Sequence, residues 1–503
     1  MPELISQKPK VELLAHTANP FDLAVASART CYSSELVYPD SVTDVQRERI
    51  GAAIFEAGHH TPFQHPTFVF AIKDVSRQCV WSFLHAHPFF NSEQQSQRYV
   101  VMDSAKVFVP ELDNENKKIY EDAVLSAWKA YDSISELLKE DNFKLMENLG
   151  RIKGEDEKKI RIESEKKAIE HGRYVLPVCA SSTLYHTISG ITLHRYMMMV
   201  NACDCPTEAK MLVDQMVSEI RKVDPEFVDG IGDGVEENII ENISLDPDPN
   251  FAENFDKELD GRISKLVTYD KDAEKLVADS VREVSGAKVS DDEAIALVLD
   301  PEKNRYFLSS VNVYSHSPLM RVLNHVNYTF KKKISHTADS QDQRHRMTPA
   351  SRPLLTRVHT EKPDYVLPWI IERNEAATKL YKETMEMLWD AKNRLIANGV
   401  SAENACYLLP NAVNVRFTQT GSLLNLVHKW RLRTCFNAQT EIYDSSLSEL
   451  RQVAEVHPRL AKYLGPPCLI RFRAGEKENP CPEGPRWCGI SVWLSFPKVK
   501  RPF

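Results

Sequence analysis

The sequence predicts an α+β chain made of two tandem copies of one unit, each a set of helices packed with a short antiparallel sheet. Three observations predict it. Four sequence features recur in the same order in the two halves, an acidic stretch separates the halves, and each half mixes helical patterns with a few short aromatic and β-branched runs. The length of 503 residues suits two to four domains at roughly 150 residues each. A composition of 42% hydrophobic and 27% charged residues is that of a globular protein.

The repeats run as follows. LLAHTANPFDLAVASARTCYSS (13–34) and LVTYDKDAEKLVADSVREVSG (266–286) each read as a polar turn followed by an amphipathic helix. HHTPFQHPTFVF (59–70) and SHSPLMRVLNHVNYTF (315–330) each read as a Thr/Ser-Pro turn, a His and a strand. Arg173-Tyr-Val-Leu-Pro177 and Cys406-Tyr-Leu-Leu-Pro410 come next, with Thr187 and Thr420 equally far beyond their prolines. Last come the apolar helices GITLHRYMMMVNA and GSLLNLVHKWRLR. The stretch 112–170 is rich in Lys and Glu at helical spacing and predicts exposed helices. Residues 233–260 hold ten acidic residues, one lysine and two prolines, the composition of a solvated linker.

Several function classes find no support. Glycine is scarce, at 17 of 503, and neither GxGxxG nor Walker A occurs; Gly230-Ile231-Gly232-Asp233-Gly234 has the wrong spacing. A net charge of −8 gives no reason to expect nucleic acid as a partner. The N-terminal MPELISQKPKVELL lacks the apolar core of a signal peptide, and no membrane span is expected. The ten cysteines read as reduced thiols of a cytoplasmic protein. Cys468, Cys481 and Cys488 could hold zinc given a fourth ligand, but they lack a CxxC pair, and no metal is expected. Cys203 and Cys205 read as packing residues.

Two stretches concentrate polar function: His85 to Tyr99 and Ser340 to Arg346. Arg344 and Arg346 flank His345, and arginine forks suit phosphate or carboxylate oxygens at about 1.5–3 kcal/mol per charge-assisted bond. An exposed basic turn is the alternative. Glu93, Ser96 and Arg98 are spaced to converge from a loop, or to make a helix cap and a surface ion pair. No GxSxG elbow or Cys-His signature marks a nucleophile. The lone His59, His65 and His325 read as structural.

In this order the residues resemble the flavin-dependent thymidylate synthases. That family carries a His-x-Thr/Ser-Pro-Phe-x-His turn, Arg-His-Arg, a Glu-x-Ser-x-Arg-Tyr loop, Arg-x-x-Leu-Pro, and a helix ending in Leu-Arg before Ala-Gln and Glu-Ile. The first half reads His59-His60-Thr61-Pro62-Phe63-Gln64-His65, then Glu93-Gln94-Gln95-Ser96-Gln97-Arg98-Tyr99, then Arg173 to Pro177. The second half reads Gln341-Asp342-Gln343-Arg344-His345-Arg346, Leu409-Pro410, Leu432-Arg433, Ala438-Gln439 and Glu441-Ile442. The departures are complementary. The first half has Ala86-His87-Pro88 at the Arg-His-Arg position and Val200 in place of the Leu-Arg arginine. The second half shortens the loop to Met347–Arg352 and has Cys406 for the Arg-x-x-Leu-Pro arginine.

The resemblance implies copies at 10–232 and 261–470, joined by the linker 233–260 and followed by a Cys-containing tail, 471–503. It also implies reductive methylation of dUMP with methylenetetrahydrofolate, FAD and NADPH, at one composite site drawing on both copies. Glu93, Ser96, Gln97, Arg98, Arg173, Gln341 and Arg344 would bind dUMP. Arg433 would be catalytic beside the uracil. Arg344, His345, Arg346, Thr61, Ser317, Glu93 and His428 would surround FAD. A homodimer of four units is implied. The alternatives are a non-catalytic nucleotide- or flavin-binding paralogue and a different one-carbon transfer to a pyrimidine nucleotide.

Overall fold

The structure is a computed structural model and describes residues 3–102, 104–229, 248–309 and 311–502. The strands are β1 (Leu4–Gln7), β2 (Lys10–His16), β3 (Thr67–Ser76), β4 (Phe90–Gln94), β5 (Ala105–Phe108), β6 (Ser181–Ser189), β7 (Ser264–Tyr269), β8 (Asn327–Ser335), β9 (Ala350–Ser351) and β10 (Asn414–Ser422). They form two four-stranded antiparallel sheets of matching order, β2-β3-β6-β4 and β7-β8-β10-β9, and a small parallel pair, β1-β5. The Thr187 and Thr420 that stood equally far from their prolines occupy corresponding places in β6 and β10, opposite Val69 and Thr329.

In each half the central strand feeds directly into a helix through a serine cap. Ser76 accepts from Cys79 N–H ahead of the helix Arg77–His85, and Ser335 accepts from Ala338 N–H ahead of the helix His336–Asp342. Each serine is held by a buried glutamate from a later helix of its own half, and that glutamate also accepts from a tyrosine of the other half. Glu208 accepts from Ser76 and, at 2.7 Å, from the Tyr407 hydroxyl. Glu441 accepts from Ser335 and, at 2.7 Å, from the Tyr174 hydroxyl. The halves also exchange backbone bonds around Pro177 and Pro410. Val178 N–H reaches Leu409 O and Asn411 N–H reaches Leu176 O, both at 2.8 Å. These reciprocal contacts are those of an internal two-fold axis. One apolar core runs through it, joining Trp81, Phe70 and Leu176 of the first half to Ile334, Leu409 and Phe417 of the second.

The predicted helices over 112–170 are Asn114–Ile152 and Glu157–Gly172. The first is not simply exposed: it buries Tyr120, Trp128, Tyr131 and Leu138 on one face and packs against Glu375–Ala397. Residues 233–247 of the expected linker, and the Gly230–Gly234 stretch, lie outside the described residues. From Phe251 to Leu259 the acidic stretch is a helix. Phe255 and Leu259 are buried, and Asp256 pairs with Lys333 at 2.6 Å and Arg416 at 2.8 Å. Its charge is used against cations of the second sheet rather than only solvated. The C-terminal residues pack on Phe436 and Tyr443. No helix among the described residues is long and apolar enough to cross a membrane.

Candidate functional site

The site forms where the loop after β4 meets the helix His336–Asp342. Glu93 lies in β4, and Ser96 Oγ turns the following loop by accepting from Arg98 N–H at 3.1 Å. Arg173 opens a 3-10 turn directly after Gly172. That glycine is required by close approach: a Cβ there would stand 2.3 Å from Ser135 Oγ and 3.3 Å from Tyr131 O. Gln341 comes from the last turn of His336–Asp342, Arg344 from the turn beyond it, and Arg433 ends the helix Leu423–Arg433.

These elements enclose a cavity of about 70 Å³ lined by Ser96, Gln97, Arg98 and Arg173 from the first half and Ser340, Gln341, Arg344 and Asn411 from the second. An open cavity of about 300 Å³ adjoins it, sharing Gln94, Ser340 and Arg344 and adding Asn91, Glu93, Tyr185, Thr187 and Arg346. The sequence-based dUMP set therefore meets in space. His345 and His428 lie behind it with rings 5.8 Å apart. Thr61, Ser317, His345, His428 and Arg433 line neither cavity, Arg433 touching the smaller one only through Gln341 O; Ser317 Oγ accepts from Met320 N–H at 3.4 Å in its own turn.

Sequence reading missed Arg77 and Asn411. Arg77 lines the smaller cavity, and nothing in the sequence singles it out; the matching residue, after Ser335, is His336. Asn411 donates to Gln97 Oε1 at 3.2 Å and to Arg173 O at 3.0 Å. A count from the cap serines corrects a register. Arg344 stands nine residues past Ser335, and His85 stands nine past Ser76. Arg-His-Arg thus corresponds to His85-Ala86-His87, one residue before the expected Ala86-His87-Pro88. The cap fixes the helix phase, whereas counting back from Arg98 crosses a loop of different length.

Electrostatically the smaller cavity is a buried excess of cations. Arg98 is bonded to Glu170 at 3.3 Å and to Asn437 O at 3.0 Å. Arg344 pairs with Glu93 at 2.8 Å across the halves, and both are exposed. Such a pair is worth about 0–1 kcal/mol and yields easily to a ligand. Arg77 has no carboxylate partner among its bonds and gives one hydrogen bond, to Gln95 O at 3.1 Å. Burial, with the neighbouring Arg173 charge, pulls its pKa down to about 9. Arg77 Nε, Arg98 Nε, Arg173 Nη2 and Gln97 Nε2 are buried donors without a hydrogen-bond partner among the described residues. Buried donors of this kind are costly unless something satisfies them. A multiply charged anion would do so.

Arg433 is oriented from behind. Its Nε donates to His345 Nε2 at 2.8 Å and its Nη2 to Gln341 O at 3.1 Å. Burial pulls its pKa down to about 10, against the opposing pull of Asp342. His345 is held well below the ordinary histidine range by burial and by Arg433, so it is the neutral acceptor this bond needs. Beneath lies a fully buried four-charge cluster: Lys332 and Lys429 against Asp342 and Glu449, with Lys429–Asp342 at 2.9 Å and Lys332–Glu449 at 2.8 Å.

The family model described as thymidylate synthase complementing protein matches the chain twice, over residues 12–226 and 265–459. The flavin-dependent thymidylate synthase of Clostridium tetani is 31% identical over 222 residues, covering 43% of this chain and 84% of that protein. The flavin-dependent thymidylate synthase of Geobacter sulfurreducens is 31% identical over 241 residues, covering 47% of this chain and 96% of that protein. A UMP/dUMP methylase from Streptomyces cacaoi, solved with 5-Br dUMP, aligns at 18% identity with a TM-score of 0.34, covering 45% of this chain and 96% of that one. The double match of the family model, over the two halves that carry the matching sheets, makes this chain a member of the flavin-dependent thymidylate synthase family with two of its units in tandem.

Proposed function

We propose that the protein converts dUMP to dTMP by FAD-dependent reductive methylation, with methylenetetrahydrofolate and NADPH as co-substrates, at one composite site between its halves. The observation that carries this reading is the small cavity lined jointly by Arg98, Arg173 and Arg344, with Arg433 adjoining through Gln341. Arg98 and Arg173 bind the nucleotide phosphate, helped by Ser96 and the backbone N–H groups of its loop. Arg77, unforeseen from sequence, adds a third cation on that side. Gln97, Gln341, Arg344 and Glu93 complete the nucleotide pocket. Arg433 faces the pyrimidine, where a fixed guanidinium stabilises negative charge on the ring and so activates the carbon that accepts the one-carbon unit. His345 holds Arg433 in that orientation.

The larger cavity suits part of an anionic dinucleotide cofactor: it is open, and Arg344 and Arg346 stand on its wall beside the exposed Tyr185. Arg344, Arg346 and Glu93 would hold FAD there, while His345 and His428 line neither cavity and stand behind its wall. FAD, once reduced by NADPH, would supply the hydride that reduces the transferred carbon. Thr61 and Ser317 lie off this cavity, so they would reach a flavin only from a second copy of the chain, which accords with a homodimer of four units.

Product analysis with dUMP, methylenetetrahydrofolate, NADPH and FAD tests the reading. Formation of dTMP is expected. Binding of dUMP and FAD without any product would replace it with a nucleotide-binding paralogue, and a product other than dTMP with a different one-carbon transfer.

A further inference from the structure

Four of the ten cysteines meet at one small apolar pocket: Cys435, Cys468, Cys481 and Cys488, with Pro482 and Trp487 beside them. Cys435 follows Arg433 by two residues, Cys468 belongs to the helix Pro467–Arg473, and Cys481 and Cys488 come from the coil beyond it. All four are free thiols. The sequence offered three of them without a fourth partner, and the fold brings Cys435 to the other three.

The turns around these residues supply a second observation. The Cys435 turn is closed by Ala438 N–H on Cys435 O at 3.0 Å, and the Cys488 thiol donates to Ile490 O at 3.7 Å, so turns of the backbone hold both sulfurs at the pocket. A divalent metal would bind the sulfurs as thiolates by replacing their protons.

We propose that Cys435, Cys468, Cys481 and Cys488 bind one thiophilic divalent ion, zinc by its chemistry, as a tetrahedral four-thiolate site. The four thiols release four protons to solvent on binding, leaving a centre of net charge −2 with Lys153 and Arg471 close by. No three of these sulfurs lie within 4.8 Å of one another, so binding contracts the group. The trio that does meet that distance, Cys79, Cys205 and Glu208, is a poorer candidate: its carboxylate is committed to Ser76 and Tyr407. The site clamps the C-terminal coil to the segment just after Arg433, whose Asn437 carbonyl receives Arg98.

Elemental analysis of the full chain, purified under reducing conditions without chelator, tests this without reference to catalysis. One zinc per chain is expected, and Co²⁺ exchanged into the protein should show the intense thiolate charge-transfer and visible bands of a tetrahedral four-thiolate centre. The double variant Cys481→Ser/Cys488→Ser should lose metal roughly tenfold or more, while Cys31→Ser, an exposed thiol elsewhere, keeps it. If the double variant does not fold, the wild-type measurements decide. Wild-type chain that retains less than about 0.1 zinc after reconstitution and gel filtration overturns the proposal, as do cobalt spectra without thiolate bands or a disulfide between any two of the four cysteines.

Discussion

The internal two-fold gives the open arginine cavity a counterpart on the other side of the junction, and the two differ at nearly every position. Counting from the cap serines and the paired prolines sets the correspondence. Arg77, Arg173, Asn411 and Arg433 are matched by His336, Cys406, Val178 and Val200, and Ser340 is matched by Trp81. Trp81 is fully buried, with His85 and His336 against it at ring distances of 4.3 and 4.9 Å. The one arginine retained there, Arg352, is bound through two bonds to Asp339 at 2.6 and 2.8 Å, and Trp81 Nε1 donates to the same carboxylate at 2.8 Å. One place keeps arginine donors unsatisfied and space open; the other pairs its arginine and its indole N–H with one carboxylate, leaves His85 Nδ1 and both His336 ring nitrogens without partners among the described residues, and fills the space with the indole. Fusion explains how this can persist. Once both halves share a chain, each interface residue need serve one site, and the other is free to become core.

The largest expected effect bears on that asymmetry. Arg433→Ala should lower kcat by ~10²–10³-fold or more, the loss typical of a charge-stabilising donor at a reacting group. Val200→Ala, at the matching position, should cost stability only. Product assays on both variants check this, and wild-type turnover in Arg433→Ala would remove its assigned role. Arg173→Cys installs the residue its counterpart carries. Loss of a charge-assisted phosphate contact worth about 1.5–3 kcal/mol should raise KM for dUMP by ~10–100-fold.

The halves differ beneath their sites as well. In the second, Lys332, Asp342, Lys429 and Glu449 are fully buried together; in the first the matching residues are Phe83, Tyr196 and Met216 by the same counts and, for Lys332 by strand register across the bulge of β3, Ile72. Lys429→Met should destabilise the protein by about 3–5 kcal/mol, because it strands buried carboxylates. Tyr196→Phe, which loses one bond to His186, should cost about 1 kcal/mol. Urea unfolding measures both, and equal losses would mean that the charges are not the stabilising feature of the second half.

Acid should also distinguish the halves. Burial raises Asp342 and Glu449, but the paired lysines more than offset it and hold both below their usual range. Their contribution is complete above about pH 4.5, where the unfolded carboxylates are ionised, and is lost as pH falls below it. Glu208 has the opposite sign. Burial raises it to about 7, so its contribution is full below about pH 4.5 and is lost as pH rises through 7. Burial also raises Glu441, its counterpart in the second half, so Glu208→Gln should lessen the fall in stability between about pH 4.5 and 7 and leave the profile below about pH 4.5 unchanged. A profile that moves below that range instead would reverse the assignment.

The repeat was legible because apolar period and turn chemistry are local: the Thr61-Pro62 and Ser317-Pro318 turns, and Pro177 and Pro410, show in the string. The pairing of Arg98 and Arg173 with Arg344 and Arg433 was legible only through complementary losses, each half lacking what the other keeps. Arg77 and Asn411 were not, since an arginine after a serine says nothing of which neighbour it will face across an interface. The helix Phe251–Leu259 was hidden by its acidity, because Asp256 finds Lys333 and Arg416 only when the second sheet is folded. Cys435 was separated from the C-terminal cysteines by a helix and more, and only packing brings them together.

The smallest effect is the sharpest control. Ala86 is exposed at the end of the helix Arg77–His85, and the count from Ser76 places it at the position of His345. Ala86→Arg adds a cation to the closed side without displacing any packed group, so stability should change by less than about 0.5 kcal/mol and turnover by less than twofold. If the closed side bound nucleotide, a new guanidinium there would instead shift the apparent affinity for dUMP, as at the open side. Titrating dUMP against the wild type and Ala86→Arg separates these outcomes, and one site per chain in both is what a single working cavity requires.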